Sequence, residues 1–149
     1  MSAALQQTMA ANPFNLPADP VAQAHAIAPL LRSEGPKIEA LGQLTPAVVD
    51  ALHAHGLYRT LLPRRLNGYG AGLETFVKVM ETLAAADAST AWCVGQAVGC
   101  SMAAAYVEPA IAAEIWGDDP HGVLAWGFQI AGRAKPVPGG YSVTGQCLS

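Results

Sequence analysis

The sequence predicts a mainly α-helical fold, a helical domain that leads into the first strands of a β domain. Three observations predict it. Up to Gly117, apolar residues recur at three- and four-residue spacing, and Pro, Ser, Thr or Asp stands where every expected helix but the third would begin. After "DDPH" the texture changes to short apolar runs and alternation, the mark of strands. Of the 149 residues, 52% are apolar and only 13% charged, enough apolar surface for a sizeable core.

A first helix starts after Asp19 with Pro20 at its first position, and carries Val21, Ala24, Ala28 and Leu31 inward. Pro29 and Gly35-Pro36 are expected to kink or break it before Ile38 and Leu41 continue the stripe. Thr45-Pro46 opens a second helix with Val48, Val49 and Leu52 inside, and Gly56 ends it. "LYRTLLP" then reads as a short extended link. Leu73, Phe76, Val77, Met80, Leu83 and Ala84 form the inner stripe of a third helix, which "ADAST" breaks.

Asp87 or Ser89 caps a fourth helix, expected from about Ala91 to Val107. "AWCVGQAVGCSMAAAYV" is apolar nearly all round, so it should be buried on every side. Its length is marginal for a bilayer and it is built of Ala and Gly rather than Leu, so burial in protein is expected. Gly95, Gly99 and Ala103 make a small-residue stripe that would let a neighbouring helix approach, as in the centre of a bundle. Glu108-Pro109 starts a fifth helix with Ile111, Ala112 and Ile115 inward, closed by Trp116-Gly117. "GVLAWGFQI" reads as a strand, and "GRAKPVPGGYSVTGQ" as two strands joined at "PGG", with Tyr141 and Val143 alternating. The expected organisation is a loosely ordered arm (1–17), a helical domain (18–120) and the start of a truncated β domain (121–149). An isolated hairpin is marginally stable in water, so the chain reads as a fragment or its strands complete a sheet elsewhere.

The net charge is −3 and there is no basic patch, which argues against nucleic acid or an anionic membrane surface as partner. The start, "MSAALQQTMAANPFNLPADP", lacks the basic and apolar segments of a secretory signal, and a cytoplasmic location is expected. Cys93 and Cys100, seven residues apart on one helix, would have Cα atoms roughly 10 Å apart, too far for a disulfide, and read as small buried thiols.

Gly68, Gly70 and Gly72 in "RLNGYGAGLETF" could be a phosphate-cradling loop or a bend. A dinucleotide loop needs a buried strand before it, and "LLPRRLN" is none; Asp87, at the distance of a ribose partner, sits in a capping position. The bend is the expected reading. His53 and His55 would face different ways on a helix, and His25 and His121 lack partners at metal-ligand spacing, so no metal site is expected. Glu81, Glu108, Glu114, Asp118 and Asp119 are available as acids or bases but read as polar helix faces or loops, and the catalytic residue stays unknown. Trp92, and Trp126 and Phe128 flanking Gly127, could wall a flat apolar cofactor; ordinary core packing explains them as well.

The stretches "LHAHGLYRTLLPRRLNGYGAGLETFVKVMETLAAADASTAW" and "GRAKPVPGGYSVTGQ" resemble the acyl-CoA dehydrogenase superfamily, in its N-terminal helical domain and the first strands of its middle β domain. "ADASTAW" together with the hairpin leans to the branch of two-component flavin monooxygenases; where dehydrogenases carry "TEP…GSD" this chain reads "AWGFQIAGRA". The resemblance implies a flavin, FAD or FMN, reduced by a separate reductase and used with oxygen to hydroxylate a small-molecule ring, in a homo-oligomer of the full-length protein. It implies that Trp126, Gly127, Phe128 and Gln129 approach the flavin and that Trp92 and Gln96 line the substrate side. In this family "GGYG" is a bend between helices; here Asn67 replaces its first glycine. After Gln146 the family's following Trp and "FASG" are absent, so most flavin contacts and, for a dehydrogenase, the catalytic base would lie elsewhere. Acyl-CoA oxidation and a non-catalytic helical interaction module are the other readings.

Overall fold

A computed structural model describes residues 16–126 and 132–145. Helix α1 spans Pro20–Leu41, and Asp19 caps it by accepting a hydrogen bond from the Val21 amide at 2.9 Å. Gly42, at φ 65°, ends it with its N–H on the Ile38 carbonyl. The expected break at Pro29 and Gly35-Pro36 does not occur: both prolines lie inside one helix of 22 residues. Their rings sit on the exposed side, while Ala24, Ile27, Leu31 and Ile38 are buried in the main core. Burial of that stripe against α3 outweighs the backbone bonds that the prolines remove. Leu41, expected to continue the stripe, is exposed.

Helix α2 spans Pro46–Ala54 and buries Val48 and Leu52. "LYRTLLP" is not the extended link expected. It coils into a 3₁₀ turn, Leu57–Arg59, because Leu57, Thr60 and Leu62 must all reach the interior within six residues. Thr60 donates its hydroxyl back to the Leu57 carbonyl at 2.7 Å.

Helices α3 (Leu73–Ala84) and α4 (Ala88–Ser101) pack against each other, and α3 also packs on α1. Asp87 caps α4 by accepting from the Thr90 amide at 2.6 Å. Helix α4 starts earlier than expected and stops at Ser101, tightening into a 3₁₀ turn over Met102–Ala105 instead of running to Val107. Two further expectations fail. On α3, Val79 and Leu83 are buried and Phe76 and Met80 half-buried, but Leu73, Val77 and Ala84 are exposed. On α4, Val94, Ala97 and Val98 face the core while Trp92 and Cys93 lie open, so the helix is covered on one side only. The small-residue stripe is used once: a Cβ on Gly95 would come within 3.1 Å of the Met80 thioether methyl, whereas Gly99 meets nothing and Ala103 is exposed. Cys93 is an exposed thiol and Cys100 a half-buried one, not the buried pair expected.

A second, smaller core joins Leu62, Leu66, Ala104, Ala112 and Trp116. Helix α5 (Pro109–Ala112) and the π turn Ala113–Gly117 bring Ala112 and Trp116 into it, with Ile115 alongside, while Ile111 points out. Residues 122–126 form no strand, contrary to expectation, for among the described residues no neighbour takes up their ladder bonds. Strands β1 (Arg133–Val137) and β2 (Gly140–Thr144) form the expected antiparallel hairpin, with Arg133 opposite Thr144 and Val137 opposite Gly140. Gly139 takes φ 85° in the turn, and every residue of both strands is exposed. Among the described residues, no helix is long and apolar enough to cross a membrane.

Candidate functional site

The glycine segment is a bend, and from Asn67 to Ala71 its amides are turned onto the chain itself. An anion cradle needs free amides. Here the amides of Asn67, Gly68, Tyr69, Gly70 and Ala71 are donated to the carbonyls of Arg64, Pro63, Arg59, Leu62 and Thr60 at 2.9–3.2 Å. Gly68 is buried so closely that a Cβ would lie 2.0 Å from the Leu62 carbonyl oxygen. Asn67, the departure from "GGYG", stands at φ 62° and donates its side-chain amide to the Gly117 carbonyl at 3.2 Å. Asn tolerates the left-handed region and adds a bond that glycine could not.

Arg59 is the residue that sequence reasoning missed. It is 4% exposed, and its guanidinium donates to the carbonyls of Leu66 (3.1 Å), Asn67 (3.2 Å), Trp116, Pro120 (3.4 Å) and Asp119 (3.5 Å). It ties the glycine bend to the turn after the π helix. Two of the carbonyls lie 7 and 8 residues on and three lie 57, 60 and 61 residues on, so no local pattern reveals the site.

Beside it, His53 and His121 meet edge-on with ring centres 4.7 Å apart, and Tyr58 lies 4.8 Å from His53 on another side. With Asp50, Arg59 and Leu16 these histidines line a shallow cleft of about 310 Å³. Leu16 also lies over Gly56; residues 1–15 of the expected arm lie outside the described residues. His55 is apart, its Nδ1 2.6 Å from Gln23 Oε1. Among the described residues, no three His, Cys, Asp or Glu side chains converge as a metal site.

Burial, then the charges of His121 and Arg59, hold the His53 pKa below 6.5, against the opposing pull of Asp119 and Asp50. The unfolded chain therefore takes up this proton first as pH falls. The His53 contribution is constant above 6.5, declines from 6.5 down to the folded-state value, and levels off below it. His53→Gln should flatten that part of the curve. Urea midpoints of the two proteins at about pH 7 and pH 5 check it, and an unchanged difference between the two pH values would refute it.

The fourth constellation lies on the open side of α4. Trp92 and Gln96 are one turn apart on that helix, with Trp92 64% exposed and Gln96 half-buried. Trp126, 48% exposed, donates its indole N–H to Gln96 Oε1. The structure thus joins one of the residues expected near the flavin to one expected near the substrate, with a second indole beside them. Gly127, Phe128 and Gln129 lie outside the described residues. Glu81, Glu108, Glu114, Asp118 and Asp119 take no part in this constellation; Asp119 instead accepts from the His121 amide at 2.8 Å.

No family model matches the chain. It is 34% identical over 99 residues to an indole-3-acetate monooxygenase of Pseudomonas putida, an alignment that covers 66% of this chain and 25% of that protein. It is 25% identical over 126 residues to the oxygenase component of an FADH2-dependent resorcinol hydroxylase of a Rhizobium species, covering 85% of this chain and 31% of the other. In structure it matches XiaF from a Streptomyces species, solved with FADH2 and glycerol, at a TM-score of 0.78 and 28% identity over 85% of this chain and 32% of that one. The chain therefore spans a quarter to a third of the length of these relatives.

Proposed function

From a chain related in sequence and fold to the acyl-CoA dehydrogenase-like, flavin-dependent hydroxylases, we propose a role as part of the oxygenase of a two-component monooxygenase that acts on an aromatic ring. The observation that carries this reading is the Trp126–Gln96 hydrogen bond beside Trp92, on the one face of α4 that the described residues leave uncovered. Residues 18–120 are then the helical domain, and 121–149 the beginning of the β domain of a longer cytoplasmic enzyme, working as a homo-oligomer with a separate flavin reductase.

The residues present suit a flat, fused-ring cofactor. An exposed indole pinned at its N–H offers a rigid face, and the neighbouring helix surface is apolar. Bound reduced flavin, most simply FAD given the FADH2 of the relatives, would supply the electrons that activate oxygen. Trp126, with Gly127, Phe128 and Gln129, would hold it, while Trp92 and Gln96 would orient the substrate ring and keep water from that side.

The test supplies the full-length protein with reduced FAD, isotopically labelled oxygen, and indole-3-acetate or resorcinol. One labelled oxygen atom in the organic product is the expected result. Oxidation of the flavin with every ring compound recovered unchanged would refute the reading.

A further inference from the structure

Gln96 carries both a hydrogen-bond acceptor and a donor on one amide, and Trp126 determines which of them remains for a ligand. An indole N–H can only donate, so the amide must turn its oxygen to Trp126. Its nitrogen, with two N–H groups, then points away from the indole and has no partner among the described residues. We infer that Gln96 is a specificity-determining residue: locked in this flip by Trp126, it presents only donors and selects ring ligands that carry a hydrogen-bond acceptor. The inference rests on the reading of this face of α4 as the substrate side.

The surroundings favour such selection. Gln96 is half-buried, between exposed Trp92 on its own helix and Trp126 across from it. A ring laid against these indoles would place an edge atom at the amide. A ligand edge that can only donate would leave both sides' hydrogens facing each other, which costs more than a missing bond. Carboxamide-to-carboxylate replacement separates the two functions of the residue. Gln96→Glu still accepts from Trp126 but presents a second acceptor to the ligand. Gln96→Leu offers neither.

The experiment uses the nitrogen-labelled 149-residue chain, whose three tryptophans give three indole N–H signals. Trp126→Phe assigns the Trp126 signal, and the signal of buried Trp116 reports that each variant is folded. The probes are quinoline, whose ring nitrogen only accepts, and indole, whose ring N–H only donates. In the wild type, quinoline should move the Trp92 and Trp126 signals with an affinity about five-fold above that of indole, the effect of one neutral hydrogen bond. Gln96→Glu should reverse the order and move the Trp126 signal downfield, because a carboxylate is the stronger acceptor, opposite to the shift expected of Gln96→Leu. Gln96→Leu should shift that signal and abolish the preference. Equal affinities in the wild type, an unreversed order in the Glu variant, a Trp126 signal indifferent to Gln96→Leu, or no response to millimolar probe would each overturn the inference. If the preference holds while the full-length protein fails to oxygenate a ring, the flavin reading falls and the polarity of Gln96 stands.

Discussion

Arg59→Met should destabilise the folded chain by about 3–5 kcal/mol, the largest effect expected of any single substitution here. The reason is the asymmetry between making a hydrogen bond and orphaning its partner. Methionine fills much of the same volume, yet it leaves the carbonyls of Leu66, Asn67 and Trp116 facing an apolar side chain in a buried site. Each lost partner for a buried carbonyl costs on the order of 1–3 kcal/mol, less where water can enter. The carbonyls of Asp119 and Pro120, at 3.5 and 3.4 Å, are held more weakly and should contribute less. Arg59→Lys keeps the charge but not the planar fork that serves several acceptors, so it should recover only part of the loss. Urea unfolding followed by tryptophan fluorescence measures both, since Trp116 belongs to the cluster that Arg59 fastens. A methionine variant within about 0.5 kcal/mol of the wild type would show that the guanidinium does not hold the two segments together.

Gly68→Ala comes next, at about 3 kcal/mol, for a purely steric reason. The obstacle is backbone: the Leu62 carbonyl oxygen, 2.0 Å from the position of the new carbon, accepts the Gly70 amide and cannot move without breaking that bond. Gly72 supplies the contrast, only four residues on. It stands before the first turn of α3 at φ −75°, and a Cβ there meets nothing within 4 Å. Gly72→Ser should be neutral or slightly stabilising, because the hydroxyl can cap the helix. Thermal melts of the two variants distinguish a bend with one indispensable glycine from a generally flexible loop. Equal, small effects at both positions would contradict the packing described for residues 59–71.

What was legible in the sequence was local. Asp19-Pro20, Thr45-Pro46 and Asp87 mark helix starts within a few residues: the Asp19 and Asp87 carboxylates accept from amides two and three residues on, Thr45 makes no such bond and is marked by the proline that follows it, and all three stand at N-caps. The hairpin at Pro138-Gly139 was legible for the same reason, since turn and register are set within about a dozen residues. So was the mainly helical class that passes into strands, and with it the likeness to flavin hydroxylases. The bend at Gly68 and Gly70 could be told from a phosphate loop by the lack of a strand before it.

Tertiary structure decided the rest, wherever a residue's role depends on a partner far along the chain. Pro29 and Pro36 look like helix breakers until α3 is seen to cover the opposite face of α1. The apolar stripe of α3 and the all-apolar α4 give no sign of which side is covered, because periodicity reports a face and not its neighbour. Arg59 is one cation in "LYRTLLP" until two segments bring it five carbonyls, one of them 61 residues away. Gln96 and Trp126 are 30 residues apart, and only their contact shows which end of the amide is left for a ligand. The residues alone thus marked the class of fold and most of its cap positions, while the unbroken course of α1, the span of α4 and the coiling of "LYRTLLP" came from packing. The direction of each polar group, and so the chemistry that it can perform, was decided only when packing fixed what lay opposite.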